Sequence, residues 1–319
     1  MNIQLVTPAP LRINNGNKIT ALRWSSILKK LGHRVRVTQS DDGKPCDLLI
    51  ALHARRSADS IARFHRLHPE RPLLVVLTGT DLYRDIRTSR KAQRSLELAT
   101  RLVTLQKLAL AELPKRLHYK TRVIYQSASQ TADRATPQQN GEFKVCVIGH
   151  LRAEKDPLRS ALASRRLPAH SRVQITHIGR ALDEDLGRRA RAEMERNRRY
   201  RWIGEVSHAK ARRILAGSHL LVITSRMEGS SNVLSEALAS DVPVLAAKIP
   251  GLMGTLGKSY PGFFPVGDTR KLAALLAKTE ADGKFYALLK RTCRRLAPLV
   301  KPSREIRDWK LLLREFARS

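Results

Sequence analysis

Apolar and polar positions follow two rhythms that alternate along the chain. Short runs rich in leucine and β-branched residues, "NIQLVTP", "HRVRVTQ", "CDLLIAL", "PLLVVLTG", "TRLVTLQ" and "TRVIYQS", are separated by stretches of helical period such as "ITALRWSSILKKLG". That alternation predicts βαβ units and a parallel sheet. A polar stretch, "QTADRATPQQNGEF" at residues 130–143, contains Pro137 and Gly141 and has no apolar period. It reads as a linker. Beyond it the pattern restarts with "KVCVIGH", "VQITHIG", "RYRWIGE", "HLLVITS" and "VPVLAAK". The expected fold is α/β, with one doubly wound parallel sheet in a domain over residues 1–135 and another in a domain over 143–300. The final segment, 301–319, places Ile306, Trp309, Leu312, Leu313 and Phe316 on one helical stripe that must pack on something.

Doubly wound sheets bind ligands beyond the carboxyl ends of their strands, so the loops there are where chemistry is sought. In "RMEGSSNVLSEALASDVPVL" the strand "HLLVITS" has just ended and a helix begins near Ser231. Glu228 then lies in the loop and Glu236 about two turns into the helix. Gly229, Ser230, Ser231 and Asn232 at that helix start leave backbone N–H groups free for a phosphate. Carboxylates beside such a site accept hydrogen bonds from hydroxyls, so the segment suits a sugar nucleotide. A loop glutamate and a solvated helix glutamate would give the same spacing. In "VIGHLRAEKDP", His150, Arg152 and Lys155 stand at another strand end, where cations neutralise a diphosphate or simply face solvent.

Composition narrows the picture. The 319 residues carry 60 Lys and Arg against 28 Asp and Glu, a formal charge of +32. Both halves are basic, with 25 basic and 10 acidic groups in residues 1–135 and 35 and 18 in the rest. Such a field favours anionic partners: nucleic acid, acidic lipid or a small phosphorylated substrate. A nucleic-acid reading finds no module and, at 5% aromatic residues, no stacking platforms. No apolar run approaches the ~18 residues that span a bilayer, and Met1 leads directly into a strand, so a cytoplasmic protein is expected. Cys46, Cys146 and Cys293 form neither a metal-type spacing nor an even set for disulfides. The acidic run Asp183–Asp185 imitates a metal-binding D-x-D but opens a helix, where acidic side chains are stabilising. No metal or cofactor is expected. His33 follows a helix-ending Gly, and His177 lies in a strand as a core residue.

With these motifs in hand, "EGSSNVLSE" matches an E-x7-E pattern and "GHLRAEKDP" resembles the G-R-L-x-x-E-K segment of the retaining GT-B glycosyltransferases of family four. "NNGNKITALRWSSILKKLGHRVRV", "WIGEVSHAKARRILAGSHLLVITS" and "SDVPVLAAKIPG" extend the resemblance over most of the chain. It implies two Rossmann-like domains with a C-terminal helix crossing back to the first, and metal-independent transfer from a nucleotide-sugar. Lys155 and a neighbouring basic residue would hold the diphosphate, Glu228 the sugar hydroxyls and Glu236 the ribose. His150 stands where the family usually has Arg, so either His150 or Arg152 takes that role.

The first half is similar, in "PAPLRINNGNKITALRW", "PCDLLIALHARRSADS", "PLLVVLTGTDLYRD" and "RSLELATRLVTLQ", to the selenosugar synthases of selenoneine biosynthesis. That resemblance implies a UDP-sugar donor, typically UDP-N-acetylglucosamine, and selenophosphate as acceptor. His53, Arg55 and Arg56 after "LLIAL" are placed to hold a small anion. Thr78, Gly79, Thr80 and Asp81 after "LLVVL" offer hydroxyls and a carboxylate. Asn15, Gly16, Asn17 and Lys18 follow the first strand, where glycine permits close approach to donor phosphates. The alternative is a glycosyltransferase acting on a hydroxyl of a lipid or cell-envelope acceptor. That version needs an exposed apolar face, for which helix 17–31 with Trp24, Ile27, Leu28 and Leu31 is the candidate.

Overall fold

The computed structural model describes residues 1–8, 16–130 and 141–316. Asn15 and most of the expected linker, residues 131–140, lie outside them. The chain forms two compact units. One comprises Met1–Ser127, Glu228–Asn232 and Pro302–Ser319, the other Ala128–Met227 and Val233–Lys301.

In the first unit six parallel strands, β1 (Asn2–Val6), β2 (Arg34–Thr38), β3 (Leu48–Leu52), β4 (Leu73–Leu77), β5 (Arg101–Thr104) and β6 (Thr121–Val123), are ordered 2-1-3-4-5-6. Every side chain of β3 and β4 is buried, as expected for central parallel strands covered by helices on both faces. β2 lies at the sheet edge and reads "RVRVT", with arginines that discourage further pairing. The helix Gly16–Lys30 packs Trp24, Ile27 and Leu28 into a core shared with Trp309, Leu312 and Leu313 of the helix Pro302–Arg314. Trp24 and Trp309 meet edge to face at 4.8 Å. The apolar face that a membrane-binding version would expose is therefore covered by the C-terminal helix. Leu31 packs against the same core.

Glu305 fastens this arrangement. Its carboxylate is 1% exposed and accepts hydrogen bonds from Arg23 Nε at 3.0 Å, Trp24 Nε1 at 2.6 Å, the Ser127 backbone N–H at 3.0 Å and the Ser127 hydroxyl. A buried charge is tolerated only when satisfied in this way.

The second unit repeats the plan with β7 (Phe143–Ile148), β8 (Val173–Ile178), β9 (Tyr200–Trp202), β10 (Leu220–Ile223), β11 (Val244–Ala247) and β12 (Phe263–Phe264), ordered 12-11-10-7-8-9 and all parallel. β12 is an addition to the sequence reading. Two residues between Gly262 and Pro265 are too few to show alternation. In each sheet the first strand has neighbours reached in opposite directions, which places a topological switch point at β1/β3 and at β7/β10. Asp183 caps the helix Glu184–Arg196 by accepting from the Leu186 N–H, the role expected of that acidic run. No helix among the described residues is long and apolar enough to cross a membrane.

Glu305→Ala leaves a guanidinium, an indole N–H and an amide without their acceptor inside the core, at an expected cost of about 3–5 kcal/mol. Glu315, 27% exposed and paired with Arg101 and Arg122, supplies the contrast. Its alanine variant should cost about 1 kcal/mol or less, and urea unfolding of both proteins checks the ranking.

Candidate active site

In the second unit the loop after β7 passes through Gly149, His150, Leu151 and Arg152 into a short turn, Ala153–Lys155, and closes at Asp156 with φ +45°. β8 holds one side of it. Gly149 and Leu151 donate to the carbonyls of Ile178 and Arg180, both at 2.9 Å. Gly179 must be glycine, because its φ is +154° and a Cβ there would fall on the Gly149 carbonyl. His177 accepts the Tyr200 hydroxyl at Nδ1 (2.8 Å) and donates from Nε2 to the Gly149 carbonyl (3.0 Å). Burial pushes its pKa down to about 4, so it stands as a neutral brace.

β10 holds the other side of the loop. Thr224 Oγ1 lies 2.8 Å from the Lys155 carbonyl and 3.0 Å from that of Asp156, while the Arg226 N–H donates to the Glu154 carbonyl at 2.8 Å. These contacts station Lys155 at the β7/β10 switch point, in a small pocket lined by Ile148, Gly149, His177, Thr224 and Ser225. Arg152 is exposed, and half-buried His150 accepts the Arg180 N–H at Nδ1 (3.0 Å).

Glu236 departs from expectation in depth. The helix starts at Asn232, so Glu236 sits one turn in, not two, and is 7% exposed. Its Oε1 pairs at 2.7 Å with Nε2 of His208, the first residue of the helix His208–Ala216.

The loop Glu228–Asn232 belongs to the first unit. Gly229 lies directly on the Thr78–Gly79 backbone, where any Cβ would collide with the Thr78 carbonyl. Asn232 accepts from Arg23 Nη1 at 2.8 Å and donates to the Gly16 carbonyl at 3.3 Å. Ser231 is buried, whereas Glu228 and Ser230 are partly exposed, as is Asn17.

The loops after β3 and β4 form one cluster. His53 is buried in a left-handed conformation (φ 73°) and lies 2.9 Å by Nε2 from Thr80 Oγ1. Its Nδ1 accepts the Arg56 backbone N–H at 3.3 Å, so the proton is assigned to Nε2. Burial lowers the His53 pKa against the pull of Asp81 and keeps the ring neutral. Asp81 is fully buried, and its carboxylate accepts from the Thr78, Gly79 and Ala54 amides at 2.8–3.0 Å. Proposed from sequence as a group facing the acceptor, it braces the two loops instead. Asp81 also opens a π-helical turn, Asp81–Asp85, of a kind that recurs at functional sites. Asp85 receives Arg55 Nε at 2.8 Å and Arg84 Nε at 3.1 Å, and the Arg56 side chain is exposed.

Residues 129–295 match the family model described as glycosyl transferases group 1. The chain belongs to this family. Among curated relatives, glycosyltransferase 1 domain-containing protein 1 of Xenopus tropicalis is 26% identical over 276 residues, covering 76% of this chain and 78% of the relative. Sucrose-phosphate synthase of Thermosynechococcus elongatus superposes with a TM-score of 0.80 at 17% identity over 100% of both chains. The Anabaena HepE protein, in a complex with UDP and glucose, does so with a TM-score of 0.78 at 16% identity, over 99% of this chain and 100% of that one. At such identities the likeness is one of fold, and the fold is GT-B, as the sequence resemblance implied.

Sequence reading of this group 1 glycosyltransferase missed four site residues: Arg23, Arg84, Asp85 and His208. Arg23, Asp85 and His208 meet partners far along the chain, and Arg84 joins them through the neighbouring Asp85 that Arg55 shares, so local spacing carries no mark of them. His208, directly after the capping Ser207 in "GEVSHAK", is the one a helix-start argument would reach.

Because the His177 pKa is depressed, the unfolded chain takes up its proton first as pH falls. The contribution of neutral His177 is therefore fully present above about pH 6.5 and is lost as pH falls toward 4, amounting to about 2 kcal/mol by pH 5. Unfolding of wild type and His177→Gln at pH 7 and pH 5 checks this. The wild type should lose more stability between the two values, and an imidazole NMR midpoint near 6.5 would contradict the assignment.

Proposed function

We propose that this group 1 glycosyltransferase transfers a hexosyl group, typically N-acetylglucosamine, from a UDP-sugar to selenophosphate, a carbon–selenium bond-forming step of selenoneine biosynthesis in the cytoplasm. The observation that carries the acceptor assignment is the polarity of the loops after β3 and β4. Their carboxylates, Asp81 and Asp85, point inward and are spent, while the Arg55 and Arg56 side chains are exposed. Such a surface suits a small anion better than a neutral hydroxyl. On the donor side, HepE has been captured with UDP and with UDP-glucose, which supports a uridine nucleotide as the leaving group.

In this reading selenium attacks the anomeric carbon, the bond from that carbon to the diphosphate oxygen breaks, and its electron pair leaves with UDP. A selenium anion needs no base, so positioning and stabilisation of the leaving group dominate. Lys155 and Arg152, with His150 beside them, neutralise the departing diphosphate without a metal. Glu228 orients the sugar through its hydroxyls. Glu236, steadied by His208, holds the ribose. Gly16, Asn17 and the Gly229–Asn232 turn bring backbone amides to the donor, and Thr78–Thr80 with His53 shape the acceptor side.

The decisive assay incubates the purified protein with UDP-N-acetylglucosamine and enzymatically prepared selenophosphate, with mass spectrometry of the product and parallel measurement of UDP. A selenium-bearing sugar in step with UDP release is expected. UDP-sugar binding without a selenium product would redirect the assignment to a hydroxyl acceptor. In the same assay Lys155→Ala should lower turnover about 100-fold or more while donor affinity changes far less. A loss confined to binding would remove Lys155 from leaving-group stabilisation.

A further inference from the structure

The geometry points to a tetrahedral-oxyanion clamp in the first unit, formed by the guanidinium groups of Arg55 and Arg84 on their shared carboxylate, Asp85. Arg84 lies on the π-helical turn after β4 and Arg55 in the loop after β3, thirty residues from Asp85. Each presents Nε to a different oxygen of the same carboxylate, Arg55 to Oδ2 and Arg84 to Oδ1. The Asp85 side chain is 6% exposed, whereas those of Arg55 and Arg84 are 44% and 49% exposed. Among the described residues the Nη groups of both arginines make no hydrogen bond within the protein.

Two like charges would normally diverge into solvent. Asp85 cancels one of them and ties both guanidiniums through Nε, leaving a net positive pair on half-exposed side chains with the Nη groups of both unused by the carboxylate. Burial acts to raise the Asp85 pKa, but the hydrogen bonds from Arg55 and Arg84 outweigh it and hold it below the usual carboxylate range. The tie therefore persists in mildly acidic solution. Thr80 adds a donor of its own. Its oxygen accepts from His53 Nε2–H, which leaves the hydroxyl proton available. Planar guanidinium forks match the oxygens of a phosphate-type dianion, a geometry that neutral sugar hydroxyls cannot use as well.

This clamp deepens the proposed function by naming Arg84 as an acceptor-binding residue and Asp85 as a positioning residue, and it rests on that reading for its place in catalysis. The test measures calorimetric binding of inorganic phosphate to the full-length protein, with glucose 6-phosphate as a phosphate-ester arm, beside UDP affinity and the KM for selenophosphate. Arg84→Gln and Arg55→Gln should each weaken phosphate binding about tenfold and raise that KM similarly, with UDP affinity within about twofold of wild type. Arg188→Gln, at an exposed arginine of the helix Glu184–Arg196, controls for general charge and should change nothing. Asp85→Asn should also weaken binding by freeing both side chains. If it fails to fold, half-exposed Arg84 still decides the matter.

Unchanged phosphate affinity in Arg84→Gln overturns the clamp even where selenium product forms. Phosphate binding lost in Arg84→Gln, with no selenium product from wild type, keeps the clamp and overturns the selenophosphate assignment. Glucose 6-phosphate binding more tightly than phosphate, and equally sensitive to Arg84, keeps the clamp as the seat of a phosphorylated acceptor.

Discussion

The first unit depends on a charge taken out of water. Glu305 brings a carboxylate into the core on the helix Pro302–Arg314 and collects donors from Arg23, Trp24 and Ser127. Since an unsatisfied buried carboxylate would be prohibitively costly, one register of that helix satisfies all three partners at once. Arg23 carries the constraint onward through Nη1 to Asn232, and Asn232 to the Gly16 carbonyl. The turn Gly229–Asn232 is thereby held from one side by this chain of polar contacts and from the other by the backbone of Thr78 and Gly79. Packing around Trp24 and Trp309 supplies apolar burial, and the carboxylate adds directional contacts to it.

The same economy of acidic residues explains how so basic a chain keeps its loops ordered. With 28 acidic groups against 60 basic ones, several acids at the sites are turned inward, while Glu228 stays partly exposed. Asp81 caps three amides, Asp85 gathers two guanidiniums, Asp156 anchors Arg159, and Glu236 meets His208. Basic side chains are left as the outward chemistry of those loops. The charge is thus a local property of strand ends as well as a global one, and it suits substrates that arrive with phosphates attached.

Much of this architecture is legible in the amino-acid sequence, because parallel strands buried on both faces announce themselves as apolar runs between helical periods. The alternation from "NIQLV" to "VLAA" gives eleven of the twelve strands, and only the two-residue β12 escapes it. The loops bearing His53, Lys155 and Glu228 are found for the same reason, since ligand loops follow strand ends. What escapes is whatever depends on a distant partner. Nothing around Asp81 signals that its carboxylate turns back onto Ala54, and nothing near Arg84 signals that Asp85 is shared with Arg55. Nor does the spacing of Glu236 signal that its carboxylate is buried against His208, 28 residues away.

The division of the chain between its two units also bears on synthesis. The second unit draws on Ala128–Met227 and Val233–Lys301, all of which leave the ribosome before Pro302 does, whereas the first unit needs Glu305 and Trp309 to close a core begun at Ile3 and Trp24. The half translated first is thus the half completed last. Until the final helix emerges, Trp24 and its apolar neighbours stay without their cover. Apolar surface left uncovered during synthesis is the kind that favours aggregation.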